Sequence, residues 1–414
     1  MRITFIVITA FFLCACSSLP RNPVPLDLLG TGVIPNIPNI PDARYWGDEP
    51  PAKLHEMVME IAEQRRISGV STNATMLALS GGADNGAFGA GLLNAWTEMG
   101  TRPEFTIVTG VSTGALSAPF AFLGPDYDDE LKQMYGGFPR ERIFKLRSWV
   151  NILPNASVAD TAPLAEVIER FVDEKLMAAV AREHRRGRRL LVQTSHLDAQ
   201  RPVVWDLGAI AASGAPNAKD IFRKALIASA SVPVAFPPVL FQIEVDGQIY
   251  DEMHVDGGVV SQATALTSWQ VDIQDEISDR HDGLRTLKIY IVRNGKIAPE
   301  PEAIDYGLLD IAGRSVSTLI KSQGIGDLLS AYAAARIRGA DYYLTWIGKD
   351  FIHDYPGPFD PGYMSALSDY GYNLMKSGNA WARKPPVLMD EAERAALGQT
   401  VGRQQGGQAR GVTQ

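Results

Sequence analysis

The stretch Phe105-Thr106-Ile107-Val108-Thr109-Gly110-Val111-Ser112-Thr113-Gly114-Ala115-Leu116 decides the architecture. Its opening, Phe105–Val108, is a short apolar run that reads as a strand. Its close begins an apolar helix over Thr113–Leu123. Between them Gly110-Val111-Ser112-Thr113-Gly114 forms a Gly-x-Ser-x-Gly. A sharp strand-to-helix turn holds such a serine in a strained position with its oxygen exposed. Flanking glycines let backbones approach closely, and the helix N-terminus leaves amides without partners beside the serine. A plain glycine-rich turn is the bland alternative; strand and helix on either side favour a nucleophile.

An equivalent turn lies upstream. Met76–Leu79 reads as a strand, Gly86–Met99 as a helix, and Ser80-Gly81-Gly82-Ala83-Asp84-Asn85 joins them. Amides in such a loop can donate to developing negative charge. A phosphate-binding loop would need Gly-Lys-Ser/Thr, which is missing here.

Further strands are expected at Leu190–Thr194, Val203–Trp205, Val239–Val245 and Leu287–Val292. Helices are expected at Leu54–Arg65, Leu164–Val180, Ala218–Ala230, Tyr306–Leu319, Asp327–Arg338 and Gly362–Lys376. Such alternation implies an α/β fold with a mainly parallel sheet.

A serine nucleophile needs a proton acceptor. His254 and Asp256 stand together in Met253-His254-Val255-Asp256-Gly257-Gly258. A buried aspartate against the serine can serve; an Asp-Gly turn is the structural alternative for Asp256. His254 reads as a polar residue near a strand end or as a neighbour of the base.

These blocks resemble the patatin-like phospholipases. Ser80–Gly86 looks like their oxyanion loop and Gly110–Gly114 like their nucleophile elbow. Ala228-Ser229-Ala230-Ser231-Val232-Pro233-Val234-Ala235-Phe236-Pro237-Pro238 looks like the block before the dyad strand, and Asp256-Gly257-Gly258 like the dyad motif. The resemblance covers about Thr75 to Val260. It implies a three-layer α/β/α sandwich and a serine lipid acyl hydrolase acting on lipid esters or phospholipids. Ser112 would be the nucleophile and Asp256 the base, with amides of Gly81, Gly82, Ala83 and Thr113 holding the oxyanion, and no cofactor or metal. The family's loop carries a third glycine and a basic residue where this chain has Ala83 and Asn85. Those departures support the alternative of a weak or inactive lipid-binding lipoprotein. A small-ester or thioester hydrolase is a further alternative.

The N-terminus reads as an address. Arg2 precedes an apolar stretch, Ile3–Leu13, too short to span a bilayer. Leu13-Cys14-Ala15-Cys16 resembles a bacterial lipobox, which implies a signal peptide over 1–15, a lipid anchor on Cys16 and a membrane location, the outer membrane by resemblance. From Ser17 to about Pro51 the chain is rich in Pro and Asn. It reads either as a tether reaching on the order of 100 Å or as an arm wrapped on the domain through Ile34, Ile37, Ile40, Tyr45 and Trp46. The expected layout is a Pro/Asn-rich tether and a short helix over 16–70, a catalytic domain over 71–384 and a disordered tail over 385–414.

Composition narrows the remainder. The formal charge of -8 over 414 residues argues against a nucleic-acid binder. Cys14 and Cys16 are the only cysteines, which excludes a disulfide framework. The six histidines show no ligand spacing. Phe144–Leu153 reads as a lid, a lipid-contacting loop or core. Arg182–Arg189, with five arginines, reads as a solvated helix end, with attraction to anionic lipid as a second reading.

Overall fold

The computed structural model describes residues 21–29, 34–71, 73–136, 138, 140–146, 157–265 and 287–396. The proposed signal peptide and Cys16, Trp149–Leu153, and the tail beyond 396 lie outside these.

Eleven strands are found among the described residues. They are β1 (Arg44–Trp46), β2 (Ala74–Leu79), β3 (Ile107–Val111), β4 (Lys145–Leu146), β5 (Ala159–Asp160), β6 (Arg189–His196), β7 (Arg201–Asp206), β8 (Val239–Val245), β9 (Gln248–Asp256), β10 (Leu287–Lys296) and β11 (Asp341–Ile347). The main sheet runs β1-β7-β6-β3-β2-β10-β11, and β4 and β5 form a separate antiparallel pair. Along this path from β6 to β11 every pairing is parallel, while β9, off the path, pairs antiparallel with β6 and with β8. Strands β7 and β1 add an antiparallel margin.

Both faces of the sheet are covered, which is why its central strands read as nearly continuous apolar runs. Alternate residues point to opposite faces. Leu77 and Leu79 join the core formed with the helices Gly86–Glu98, Thr113–Leu123 and Pro361–Lys376. Met76 and Ala78 join a second core with Leu328, Ala331 and Ala335 of the helix Leu308–Ile337. The result is the expected α/β/α sandwich with a mainly parallel sheet.

Several elements differ from expectation for identifiable reasons. The first strand of the elbow is shifted to Ile107–Val111, because pairing with both β2 and β6 carries the ladder up to the turn. The expected helix Leu164–Val180 is two helices, Ala162–Phe171 and Glu174–Arg185. Asp173 caps the second by accepting the Leu176 amide at 2.8 Å. Conversely, Tyr306–Leu319 and Asp327–Arg338 are parts of one helix, Leu308–Ile337.

The arm is wrapped, not free. Val24, Ile34, Ile37, Ile40, Tyr45 and Trp46 are all buried, and β1 pairs with β7. Arg44 of β1 and Glu252 of β9 form an ion pair with both side chains 1% exposed. The expected disorder from residue 385 is also corrected. Met389 is buried in the second core, and a short helix covers Glu391–Ala396.

The arginine run divides: Arg182 and Arg185 are exposed, as a solvated helix end requires, while Arg188 and Arg189 are tied into the fold. Arg188 donates to the Phe105 carbonyl at 2.8 Å and to Glu183 at 3.0 Å. Arg189 donates to the His184 carbonyl and lies 3.6 Å from Asp206. Both are buried, so this segment fastens the helix end to the sheet. Among the described residues no helix is long and apolar enough to cross a membrane.

Candidate active site

Strand register brings Ser112 and Asp256 together. Along β6, Gln193 pairs with Val111 at the end of β3. The next residue, Thr194, pairs with Asp256 at the end of β9. Two strands thus run toward each other beside one neighbour and stop where they meet. The residue that follows β3 is Ser112, and the residue that ends β9 is Asp256.

Ser112 has φ 55° and ψ −125°. Left-handed backbone is unfavourable for a serine and persists only when its surroundings impose it. Gly110 and Gly114 flank it where β3 turns into the helix Thr113–Leu123. The Tyr135 hydroxyl lies 2.5 Å from Thr113 Oγ1 and 2.8 Å from Ser117 Oγ, bracing the first turn. No sequence motif marked Tyr135.

Asp256 is buried. Its Oδ1 accepts the Gly258 amide at 2.7 Å, while Oδ2 has no full hydrogen-bond partner among the described residues. Burial pushes this carboxyl up to about 7, opposed by the nearby Ser112 hydroxyl and the Gly258 amide. A pKa near neutrality suits a general base. The Asp256 amide donates to the Ser231 carbonyl at 2.9 Å, so the Ala228–Pro238 block positions the aspartate through its backbone. Gly257 accepts from Gln193 Nε2 at 3.1 Å.

The glycine loop supplies fewer free donors than the sequence suggests. The Gly81 amide already donates to the Gln262 carbonyl at 3.1 Å, which removes it from the expected oxyanion set. The amides of Gly82 and Ala83 have no acceptor among the described residues, and Thr113 opens its helix and has none inside it. Gly82 has φ 157°, and a Cβ there would stand 1.9 Å from the Asn294 carbonyl oxygen. No other residue fits this position. Asn85, standing where the resemblance expects a cation, accepts the Tyr363 hydroxyl at 2.8 Å.

Two cavities meet at Ser112. One, about 380 Å³, is apolar, with Leu116, Ile143, Phe144, Leu164, Phe236 and Phe359 in its wall. Phe144 is buried in a small apolar cluster as well as lining this cavity, which is the core reading for that one residue of the Phe144–Leu153 stretch. The other, about 690 Å³, has a mainly apolar lining that also carries charged and polar groups, Asp256, Gln262 and Arg293 among them. Ala83, Ser112 and Val232 belong to both.

His254 stands apart from this centre. It bonds Thr194 Oγ1 at 2.8 Å and Glu252 at 3.2 Å. With His196 and Glu252 it forms a buried group whose donor atoms lie within 4.8 Å of one another, spacing that a metal could use. Histidine spacing in the sequence hid this group, since a sheet ladder assembles it. Arg44 already supplies a positive charge to Glu252. Burial holds His196 down at about 4 and lowers His254 as well, so both rings are neutral near pH 7.

Residues 77–267 match the family model of the patatin-like phospholipases. No curated protein matches the chain by sequence. Among solved structures, VipD from Legionella pneumophila is 11% identical, over 74% of this chain and 66% of that chain, with a TM-score of 0.35. Human GIVD cytosolic phospholipase A2 is 10% identical, over 80% of this chain and 54% of that one, with a TM-score of 0.27. The chain thus spans just under two thirds of the first and about half of the second.

Proposed function

Because the chain belongs to the patatin-like phospholipase family, we propose that it hydrolyses carboxylic ester bonds of lipids through Ser112 and Asp256. The observation that carries this reading is a strained serine beside a buried carboxyl pushed up to about 7. Ser112 attacks the acyl carbonyl as Asp256 takes its proton, and the carbonyl oxygen becomes the oxyanion. The amides of Gly82, Ala83 and Thr113 hold that charge. Collapse breaks the ester bond, and Asp256 returns the proton to the departing alcohol. Water then attacks the acyl-serine, giving its proton to Asp256, which returns it to the Ser112 oxygen as the acyl-serine bond breaks and the fatty acid leaves.

The two cavities support a lipid substrate. An acyl chain fits the apolar one, and the polar remainder of the molecule enters the larger one. The lipobox supports a membrane site of action, with Cys16 carrying acyl chains that hold the protein to a bacterial membrane, the outer one by resemblance.

The test is hydrolysis of p-nitrophenyl esters and phospholipid vesicles by the parent, Ser112→Ala and Asp256→Asn proteins. Turnover confined to the parent is the expected result. Equal turnover by Ser112→Ala would refute the assignment. Metabolic labelling with a fatty acid, lost in Cys16→Ala, tests the anchor.

A further inference from the structure

We propose that Arg293 is an anion-binding specificity residue that receives the phosphate of a lipid headgroup while the ester lies at Ser112. This rests on the hydrolase reading above and adds a substrate class to it.

Arg293 lies near the carboxyl end of β10, where ligands gather in parallel sheets. Val292 pairs with Leu79 of β2, so Arg293 comes level with Ser80 at the entrance to the glycine loop. It shares the 690 Å³ cavity with Ser112 and Asp256.

Its pairing is incomplete. Arg293 is 6% exposed. Among the described residues its one side-chain hydrogen bond runs from Nη1 to Gln262 Oε1, a neutral amide, at 3.2 Å. Asp327 attracts it from beyond ion-pair distance. That carboxylate instead accepts the Gln262 amide at 2.6 Å and the Ser261 hydroxyl at 3.3 Å. Of the other buried arginines, Arg44 meets Glu252, Arg188 meets Glu183 and Arg189 lies 3.6 Å from Asp206, while Arg65 donates to the Gly187 carbonyl. Arg293 has no carboxylate partner among the described residues.

A buried guanidinium is unfavourable unless an anion meets it. The fold also keeps room for this one. A Cβ on Gly324 of the overlying helix would stand 2.9 Å from the Arg293 guanidinium carbon. The planar fork of arginine matches two phosphate oxygens. Gln262 lies between Arg293 and Gly81, since its Oε1 would be 2.9 Å from a Cβ at Gly81. Arg293 lines the wider cavity and is absent from the wall of the apolar one.

The experiment uses the full chain in two arms. In a Ser112→Ala background, glycerol 1-phosphate, inorganic phosphate and glycerol are titrated by calorimetry against Arg293, Arg293→Gln and Arg293→Lys proteins. We expect glycerol 1-phosphate to bind more tightly than inorganic phosphate, to weaken at least tenfold in Arg293→Gln, and to recover in part in Arg293→Lys. In the active background, kcat/KM is compared on a phospholipid and on an uncharged p-nitrophenyl ester of equal chain length. The loss in Arg293→Gln on the phospholipid should exceed its loss on the ester at least tenfold. Equal losses on both substrates, or inorganic phosphate binding as tightly as glycerol 1-phosphate, overturn the headgroup assignment. Binding that depends on Arg293 in a chain that hydrolyses no ester would leave the anion site standing and refute the hydrolase reading instead.

Discussion

The Ser229 hydroxyl clamps the backbone of Ser112. It accepts the Ser112 amide at 3.0 Å and donates to the Gln193 carbonyl at 2.7 Å. The left-handed turn at Ser112 is thereby tied to β6, the strand against which Asp256 also registers. Ser229→Ala leaves that buried amide without an acceptor. A loss of about 1–3 kcal/mol in stability is expected, with kcat lowered about tenfold, the rate equivalent of ~1.4 kcal/mol. Urea unfolding and steady-state assays measure both. A normal kcat in a destabilised variant would confine Ser229 to folding.

Asp256 sets the pH response. As a base it must be ionised, so kcat/KM should rise with pH through a midpoint near 7. Stability should move the opposite way. The folded carboxyl holds its proton up to about 7, whereas an unfolded one releases it near 3.8. Between those values the native state binds more protons, and stability falls as pH rises. Asp256→Asn should abolish this fall. It should be more stable than the parent at pH 8, by an upper limit on the order of 4 kcal/mol, and similar to it at pH 4. Thermal melts at both pH values decide; an identical difference at each would mean that Asp256 is not titrating in the fold.

The apolar cavity should act as a chain-length gauge. Leu116 faces it one turn beyond Ser112. Leu116→Trp fills part of that space. We expect kcat/KM for a long-chain ester to fall about tenfold relative to the acetate ester, the value of a few methylenes excluded from burial. Parallel decline on both esters would place the acyl chain elsewhere.

The pair Arg44–Glu252 joins the arm to the dyad strand deep in the protein. Arg44→Leu leaves Glu252 buried and unpaired, at a cost of about 3–5 kcal/mol. The double variant Arg44→Leu/Glu252→Leu should recover much of that, because both charges are then removed. Denaturation midpoints of the four proteins test the coupling; additive losses would argue against it.

The elbow was legible because a single local run encodes strand, turn and helix; the helix Thr113–Leu123 falls where the sequence placed it. Asp256 was legible through its two glycines. What escaped depends on distant partners. The donors of the glycine loop read as equivalent, yet Gln262 occupies the amide of Gly81. Arg293 sits in an ordinary strand with no motif. The two helices expected at Tyr306–Leu319 and Asp327–Arg338 belong to one continuous helix that runs through Gly324 and Gly326. Strand β1 was hidden because its three residues pair only once Arg201–Asp206 is in place.

That short strand has a consequence beyond anchoring. Beyond it, β7 would be the last rung on that side of the main sheet, carrying Val203, Val204 and Trp205 with open backbone groups. Unprotected margins of this kind recruit other chains. A version of the protein begun after Trp46 should therefore fail first by self-association, with clumping in solution preceding any loss of catalytic chemistry. Expression designs that trim the N-terminus are safer ending before Arg21, whose guanidinium is already fastened to Asp198.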